Sequence, residues 1–212
     1  MTASTQEPAV PRGRQTRPRE EKYDTRRAQL AESALTTLGE LGFARTTLRD
    51  IAQNSEFSHG VVHYYFANKV ELIVHCVRHY KKTCVHRYDD VVELSETAEE
   101  MVERFADKLV ETLRDEAPMH RLWYDLRTQS MFDEELRADV LEIDQGLEDM
   151  VWRVVSRYAE LSGSEPAFEP PLCYALLDGV FEKAVLEYLA GRESAMDDLR
   201  RRALEVLPVL FR

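Results

Sequence analysis

Residues 46–72 decide the fold of this 212-residue chain, and they read TTLRDIAQNSEFSHGVVHYYFANKVEL. Within this stretch Thr47 is a good helix N-cap, and Asp50 follows three residues later, as in a capping box. Ser58 is a second natural N-cap. The stretch therefore predicts two helices of about two turns each, joined by a tight turn at residues 54–57.

Helices this short are not stable alone, so they need a third helix to pack against. The preceding segment supplies one, because apolar side chains recur on one helical face from Leu30 to Leu41. Gly42 stands where a left-handed C-cap belongs, and we predict a helix over about 24–41. Three helices with a tight turn between the last two describe a helix-turn-helix at residues 47–64. The second short helix of such a motif enters the major groove of DNA.

The residues expected to meet DNA are small, hydrogen-bonding or cationic, and most lie near the start of a helix. Helix starts and cations hold phosphates, whereas side chains in the groove read base edges. The candidates are Thr46, Thr47, Arg49, Ser58, His59, Gly60, Val61, His63, Tyr64 and Lys69.

Residues 46–52 and 57–72 resemble the DNA-binding segment of the TetR family of bacterial transcriptional regulators. The resemblance spans roughly residues 25–75, about a quarter of the chain. Its most specific part is the ending, which reads Tyr64-Tyr65-Phe66-Ala67-Asn68-Lys69-Val70-Glu71-Leu72.

This resemblance implies roles for individual residues. Thr47 would cap its helix and contact phosphate, and Tyr64 and Lys69 would hold the DNA backbone. The residues that would face the groove are Arg49, His59, Val61 and His63. Where the family commonly has a glycine in the turn, this chain has Glu56, so the turn is expected to be slightly strained or to adopt another conformation.

The charge is divided unevenly along the chain. Residues 1–88 contain 14 Lys and Arg against 9 Asp and Glu, a net +5, whereas residues 89–212 contain 14 against 30, a net −16. A basic N-terminal part joined to an acidic C-terminal part indicates that only the former meets a polyanion. A chance surface imbalance is the alternative.

We predict three parts: a flexible basic arm over 1–22, the helix-turn-helix domain over 23–67, and a helical domain over 68–212 for effector binding and dimerisation. The arm contains prolines and arginines but almost no bulky apolar residue, so it cannot bury enough surface to become ordered. Helical periodicity dominates the rest, and the chain is predicted to be all-α with about nine helices. The later helices are expected at about 68–91, 96–116, 118–130, 133–161, 170–190 and 195–210.

Aromatic and polar residues cluster after residue 120, a composition typical of a small-molecule cavity between helices. The family resemblance implies an effector pocket in this middle region, although ordinary bundle core is the alternative for any single residue. The candidates are Met101, Phe105, Trp123, Tyr124, Arg127, Met131, Phe132 and Trp152. Arg127 would need an acidic partner, either an effector or Asp125.

The segment 170–190 is hydrophobic nearly all round, so its helix needs a second surface to cover it. A twofold dimer is the simplest solution, and burial within the monomer is the alternative. The expected interface residues are Leu172, Leu176, Gly179, Val180, Lys183, Leu199, Ala203 and Val206.

We therefore predict a homodimeric regulator, acting as a repressor, that binds a palindromic double-stranded DNA operator and is released by a small-molecule effector. One alternative is a dimeric DNA-binding protein without an effector. Another is a metal sensor that uses His75, His79 and Cys76, although these lack a metal-site motif.

Several classes of protein are not expected. The chain has no nucleophile-elbow, phosphate-loop or zinc-protease motif, so we predict no catalytic residue, no cofactor and no metal. It has no apolar run long enough to cross a bilayer and no signal peptide, so we expect a cytoplasmic protein without membrane contact.

Overall fold

A computed structural model of the protein describes residues 17–212, the side chains of 17–21 and 83 excepted. This part of the chain forms nine α-helices and no β-strand, which confirms the all-α prediction. The helices are α1 (Arg17–Leu41), α2 (Leu48–Gln53), α3 (His59–Tyr65), α4 (Lys69–Cys84), α5 (Asp89–Leu94), α6 (Ala98–Ser130), α7 (Glu134–Ser162), α8 (Pro170–Leu189) and α9 (Ala195–Val209).

The predicted caps of the short helices form. The Thr47 hydroxyl accepts from the Asp50 N–H at 3.2 Å, and an Asp50 carboxylate oxygen accepts from the Thr47 N–H at 2.9 Å. Ser58 caps α3 by accepting from the Val61 N–H at 3.3 Å. The turn between the helices is held by the Ser55 hydroxyl, which donates to the Ala52 carbonyl at 3.2 Å.

The first helix starts earlier than predicted. Residues 1–16 of the proposed basic arm lie outside the described residues, but residues 17–22 already belong to α1. Pro18 does not prevent this, because the first turn of a helix makes no use of the N–H that proline lacks.

Two later boundaries also differ. The helix predicted over 68–91 is broken after Cys84, because Arg87 and Tyr88 turn into the interior, where Tyr88 packs on Phe105 at 5.1 Å between ring centroids. Conversely, the helices predicted over 96–116 and 118–130 form the single helix α6, kinked at Glu116 (φ −129°, ψ 20°) just before Pro118.

The helix α6 lies at the centre of the fold, where it packs against α1, α7, α8 and α9. The helix α1 packs on α2, α4 and α6. It reaches α3 through Tyr23, whose ring centroid lies 6.4 Å from that of Tyr64 and 4.8 Å from that of Tyr65. Within residues 17–212, no helix combines the length and apolar character needed to cross a membrane.

Candidate functional site

The outer face of α3 consists of residues predicted to contact DNA. Ser58, His59, Gly60, His63 and Tyr64 are all exposed, and Tyr64 keeps 69% of its surface accessible. A Cβ atom built on Gly60 would meet no atom within 4 Å. This face is therefore open to a large partner.

The inner face of α3 is held rigidly by apolar contacts. Val62 and Phe66 are completely buried, and Phe57 is 5% exposed. Two arginines of α1 cover these rings, with Arg26 4.8 Å from the Phe57 centroid and Arg27 4.7 Å from the Phe66 centroid. Because α1 holds both ends of α3, it sets the orientation of the exposed face. Val61, another predicted contact, is half-buried beside this face.

At the start of α2 the structure contradicts one of the three predicted contacts. Thr47 and Arg49 are exposed, as a contact with phosphate requires. Thr46, in contrast, is completely buried, and its hydroxyl donates to the Gly42 carbonyl at 2.7 Å. The prediction that the Thr46 side chain contacts DNA is therefore wrong, because the C-terminal end of α1 already uses it.

The predicted clamp residue Lys69 also has an internal partner. Its ammonium donates to the Phe43 carbonyl at 2.8 Å and lies 4.4 Å from the centroid of the Phe43 ring. Lys69 thus ties the start of α4 to the end of α1. The side chain stays half-exposed, and an ammonium has two further N–H donors for a phosphate.

Exposed positive charge surrounds this surface. Arg26, Arg45 and Arg49 are exposed, and none of them pairs with a carboxylate in residues 22–212. The carboxylate of Glu71 is occupied by Arg27 at 2.8 Å. The helix-turn-helix therefore presents unpaired cations to solvent, as binding to a polyanion requires.

A second candidate site is a cavity of about 60 Å³ between α4, α6, α7 and α8. Three of the predicted pocket residues line it, namely Phe105, Trp123 and Tyr124. The other lining residues are Lys81, Cys84, Arg87, Tyr88, Leu109, His120, Leu147, Met150, Val151, Tyr174, Leu177, Asp178 and Phe181.

The remaining predicted pocket residues lie elsewhere. Met131 and Phe132 are 73% and 84% exposed, because they follow the end of α6 in the turn to α7. Met101 is buried away from the cavity, and Trp152 is half-buried on another face of α7. Arg127 stands behind the lining and binds Asp178 at 2.5 Å rather than the expected Asp125.

Polar residues of the cavity were missed by sequence reasoning. Burial, with Lys81 and Arg87 nearby, lowers the pKa of His120 to about 2, so its ring is neutral. Arg87 donates to Nε2 of this ring at 3.3 Å and pairs with Glu116 at the α6 kink. A visible signal was Lys81, which interrupts the apolar face of α4 that runs through Ile73 and Val77.

The cavity helix α6 also holds the end of α1. Arg121 donates to the Gly39 carbonyl and, at 3.0 Å, to the Glu40 carbonyl. Asp125 accepts from the Phe43 N–H at 2.7 Å. Since Trp123 and Tyr124 lie between these two residues, one turn of α6 contacts both the cavity and the helix-turn-helix.

The helix α8 has an exposed apolar face, as the dimer prediction requires. Leu172, Leu176 and Leu186 are 46%, 41% and 63% exposed. Gly179 and Lys183 are exposed on the same helix, and Val180 is half-buried.

On α9 the dimer prediction is wrong for two residues. Leu199 and Ala203 are 0% and 1% exposed, because the single apolar stripe of α9 packs inward on α6 and α8. Val206 is half-buried, so it alone of the predicted α9 residues reaches the surface.

The residues of the metal-sensor alternative do not converge. Cys76 is completely buried in the core, and burial raises the pKa of its thiol. His75 packs on Phe66 at 5.5 Å, whereas His79 is exposed. In the described part of the chain, no three His, Cys, Asp or Glu side chains are placed to hold a metal ion together.

The helix-turn-helix matches known regulators in sequence. Residues 30–76 match the family model described as "Bacterial regulatory proteins, tetR family". The HTH-type transcriptional regulator BetI of Paraburkholderia xenovorans (strain LB400) is 41% identical over 56 residues, which are 26% of this chain and 29% of BetI. The chain therefore aligns with less than a third of this curated relative.

Most of the chain is similar in fold to solved regulators. The structure of FadR from Bacillus subtilis in complex with stearoyl-CoA has a TM-score of 0.67 and 19% identity, covering 84% of this chain and 96% of that one. A putative regulator from Saccharomonospora viridis in complex with choline has a TM-score of 0.70 and 16% identity, covering 89% and 98%. At these identities the likeness concerns the fold alone.

Proposed function

The chain belongs through residues 30–76 to the TetR family of bacterial regulatory proteins, and on this premise we propose that it is a ligand-responsive transcriptional repressor. In this proposal a homodimer binds a near-palindromic operator through residues 47–64, and a small molecule in the cavity releases it. Residues 23–67 form the DNA-binding domain, and residues 68–212 form the regulatory domain.

The observation that carries the proposal is the exposed face of α3. Its outer residues are open to solvent while Val62 and Phe66 fix its inner side. Unpaired arginines flank it, so phosphates can be held on both sides of an inserted helix. In the proposed dimer a twofold axis would relate the two copies of α3. They would enter successive major grooves of the operator about 34 Å apart.

Binding to DNA is tested by titrating the protein with its own upstream DNA at several salt concentrations. We expect tight binding that competitor DNA of another sequence does not remove, with log K falling linearly as log salt rises. Binding that is equally strong to every sequence, or insensitive to salt, would contradict the proposal.

The substitution Gly60→Ala separates DNA contact from folding. Nothing within 4 Å opposes the added methyl group, so the free energy of unfolding should be unchanged or rise by up to ~1 kcal/mol. In the complex the methyl group would meet the groove, and we expect the affinity for the operator to fall about tenfold or more. Thermal unfolding and operator titration measure the two effects.

The matched control for this variant is Gly146→Ala on α7, where the nearest atom to the new Cβ would be at an ordinary 3.5 Å. It should leave operator affinity unchanged. Equal affinity of the Gly60→Ala variant and the parent would show that this face of α3 does not approach DNA closely.

Release by an effector is proposed from the position of α6. A ligand beside Trp123 and Tyr124 would move the same helical turn from which Arg121 and Asp125 hold the end of α1. A shift of this turn would change the distance between the DNA-binding domains of the two protomers. A ligand would act by favouring one of two conformations of the dimer, the one that does not fit the operator.

A regulator without an effector is the second candidate function. The cavity volume favours it, because about 60 Å³ is well below the ~300–1,000 Å³ of most ligand pockets. Ligand binding to the cavity, tested below, distinguishes the two.

A further inference from the structure

We propose that the cavity binds a small organic carboxylate, whose anionic group pairs with Lys81 and whose apolar part contacts the surrounding aromatic side chains. This inference rests on the proposed role of the cavity as an effector site and names the chemical class of the ligand.

Lys81 is the first observation that points to an anion. Its side chain is 5% exposed and lines the cavity, yet no carboxylate of the described residues pairs with it. Its Nζ lies 4.7 Å from the centroid of the Trp123 ring. Because a buried charge without a counterion is costly, Lys81 provides a strong attraction for a negative group.

The other charged groups at the cavity already have partners. Arg87 pairs with Glu116, and Asp178 pairs with Arg127 at 2.5 Å and accepts from the Tyr124 hydroxyl at 3.0 Å. These pairs leave Lys81 as the cation of the lining without a partner among the described residues. A ligand that brings one negative charge would supply that partner.

Trp123 gives an independent indication of an acceptor. It lines the cavity and is 2% exposed, and its indole N–H is buried without a hydrogen-bond partner. A buried donor left unpaired costs free energy. A carboxylate has two oxygens, so one can accept from the Lys81 ammonium while the other accepts from the indole once the Trp123 ring turns its N–H toward the ligand.

The rest of the lining defines the size and polarity of the ligand. A volume of about 60 Å³ holds roughly four to six water-sized positions. Apolar side chains, including Phe105, Leu147 and Phe181, surround this space. A short carboxylate with an alkyl chain fits both features, whereas a cation would face the Lys81 ammonium without a free carboxylate nearby.

The test measures binding of butyrate to the full-length protein by calorimetry, in the absence of DNA. The neutral butyramide has nearly the same shape, and choline provides a cation. We expect butyrate to bind with a Kd of about 1 mM or tighter, and butyramide at least about tenfold more weakly. Absence of butyrate binding, or equal binding of butyramide or choline, would overturn the proposal.

The variant Lys81→Met keeps the length of the side chain and removes its charge. We expect butyrate affinity to fall about 10- to 100-fold. The melting temperature should stay the same or rise, because an unpaired buried charge is removed. The control Lys82→Met, at the exposed neighbouring position, should change neither quantity. Unchanged butyrate affinity in Lys81→Met would overturn the proposal.

The pH dependence gives a further readout. Burial lowers the pKa of Lys81 to about 8, against the opposing effects of Cys84, Asp178 and Glu116. The neighbouring Arg87 also lowers it, and His120 is neutral. Butyrate, an ordinary carboxylate, is ionised at about pH 6 and above. Its affinity should therefore be constant from about pH 6 to 7 and fall about tenfold per pH unit above the pKa of Lys81. A flat profile to pH 10 would contradict pairing with Lys81.

The proposed function and this inference can fail separately. Operator binding without butyrate binding would remove the carboxylate site and leave the DNA-binding regulator intact. Butyrate binding that depends on Lys81, in a protein that binds no operator, would remove the DNA-binding regulator and leave the carboxylate site intact.

Discussion

The double variant Leu176→Glu/Leu186→Glu is expected to be a monomer and to lose operator affinity by at least about 100-fold. Both leucines are exposed on α8, at 41% and 63%, and the proposed dimer would cover them. Glutamates there would be desolvated and would approach their own copies across a twofold axis. A monomer contacts only one half-site of the operator. In the dimer, binding of the first DNA-binding domain raises the effective concentration of the second, which increases the affinity about 10²- to 10⁴-fold.

Light scattering after size exclusion measures the oligomeric state, and operator titration measures the affinity. The matched control is Leu141→Glu, because Leu141 is an equally exposed leucine (62%) on α7. It should remain dimeric and bind the operator normally. Circular dichroism should be unchanged in both variants, since neither removes a core side chain. A dimeric double variant would show that α8 is not the interface.

The second large effect is expected for Gly42→Ala, with a loss of about 2–4 kcal/mol in the free energy of unfolding. Gly42 has φ +78°, where an L-residue costs about 1–2 kcal/mol. In addition, its new Cβ would lie 3.2 Å from an Asp125 oxygen, the one that accepts from the Phe43 N–H. Displacing that carboxylate weakens a charge-assisted hydrogen bond, at a further cost of about 1–2 kcal/mol. The melting temperature should fall by roughly 4–16 °C.

The control for this prediction is Gly163→Ala. Gly163 has φ +66° but open space around it, so the substitution should cost only the backbone strain of about 1–2 kcal/mol. A double-mutant cycle isolates the part of the loss that comes from the contact with Asp125. In an Asp125→Ala background, Gly42→Ala should lower the free energy of unfolding by no more than Gly163→Ala does. If Gly42→Ala and Gly163→Ala lowered the free energy of unfolding of the parent protein equally, the Asp125 side chain would have to move aside without loss of stability.

Local features were predictable where neighbours in sequence make the contact. The Thr47–Asp50 box, the Ser58 cap and the Gly42 C-cap all form as predicted. Each depends on groups within four residues, so the pattern of residues specifies the geometry directly.

Errors arose where distant segments compete for a residue. Thr46 stands near the start of a helix, where a phosphate contact is expected, but its side chain is buried and its hydroxyl donates to the Gly42 carbonyl. The helical pattern over 68–91 is continuous, yet Arg87 leaves it to reach Glu116 on α6. Leu199 has the apolar character of an interface residue, and only packing on α6 and α8 places it inside.

Residues 46–72 specified the two short helices and the turn between them, because the caps and the turn depend on groups close in sequence. The buried side of α3 also needs α1, whose Arg26 and Arg27 cover Phe57 and Phe66. The cavity was decided by the tertiary structure alone. Its lining comes from α4, α6, α7 and α8 and from the turn after α4 that carries Arg87. Only the packing of these segments leaves Lys81 without a counterion, while Arg87 pairs with Glu116 and Asp178 pairs with Arg127. Amphipathic periodicity shows which face of a helix is buried, but not which charges meet there, since that depends on contacts between residues far apart in the chain.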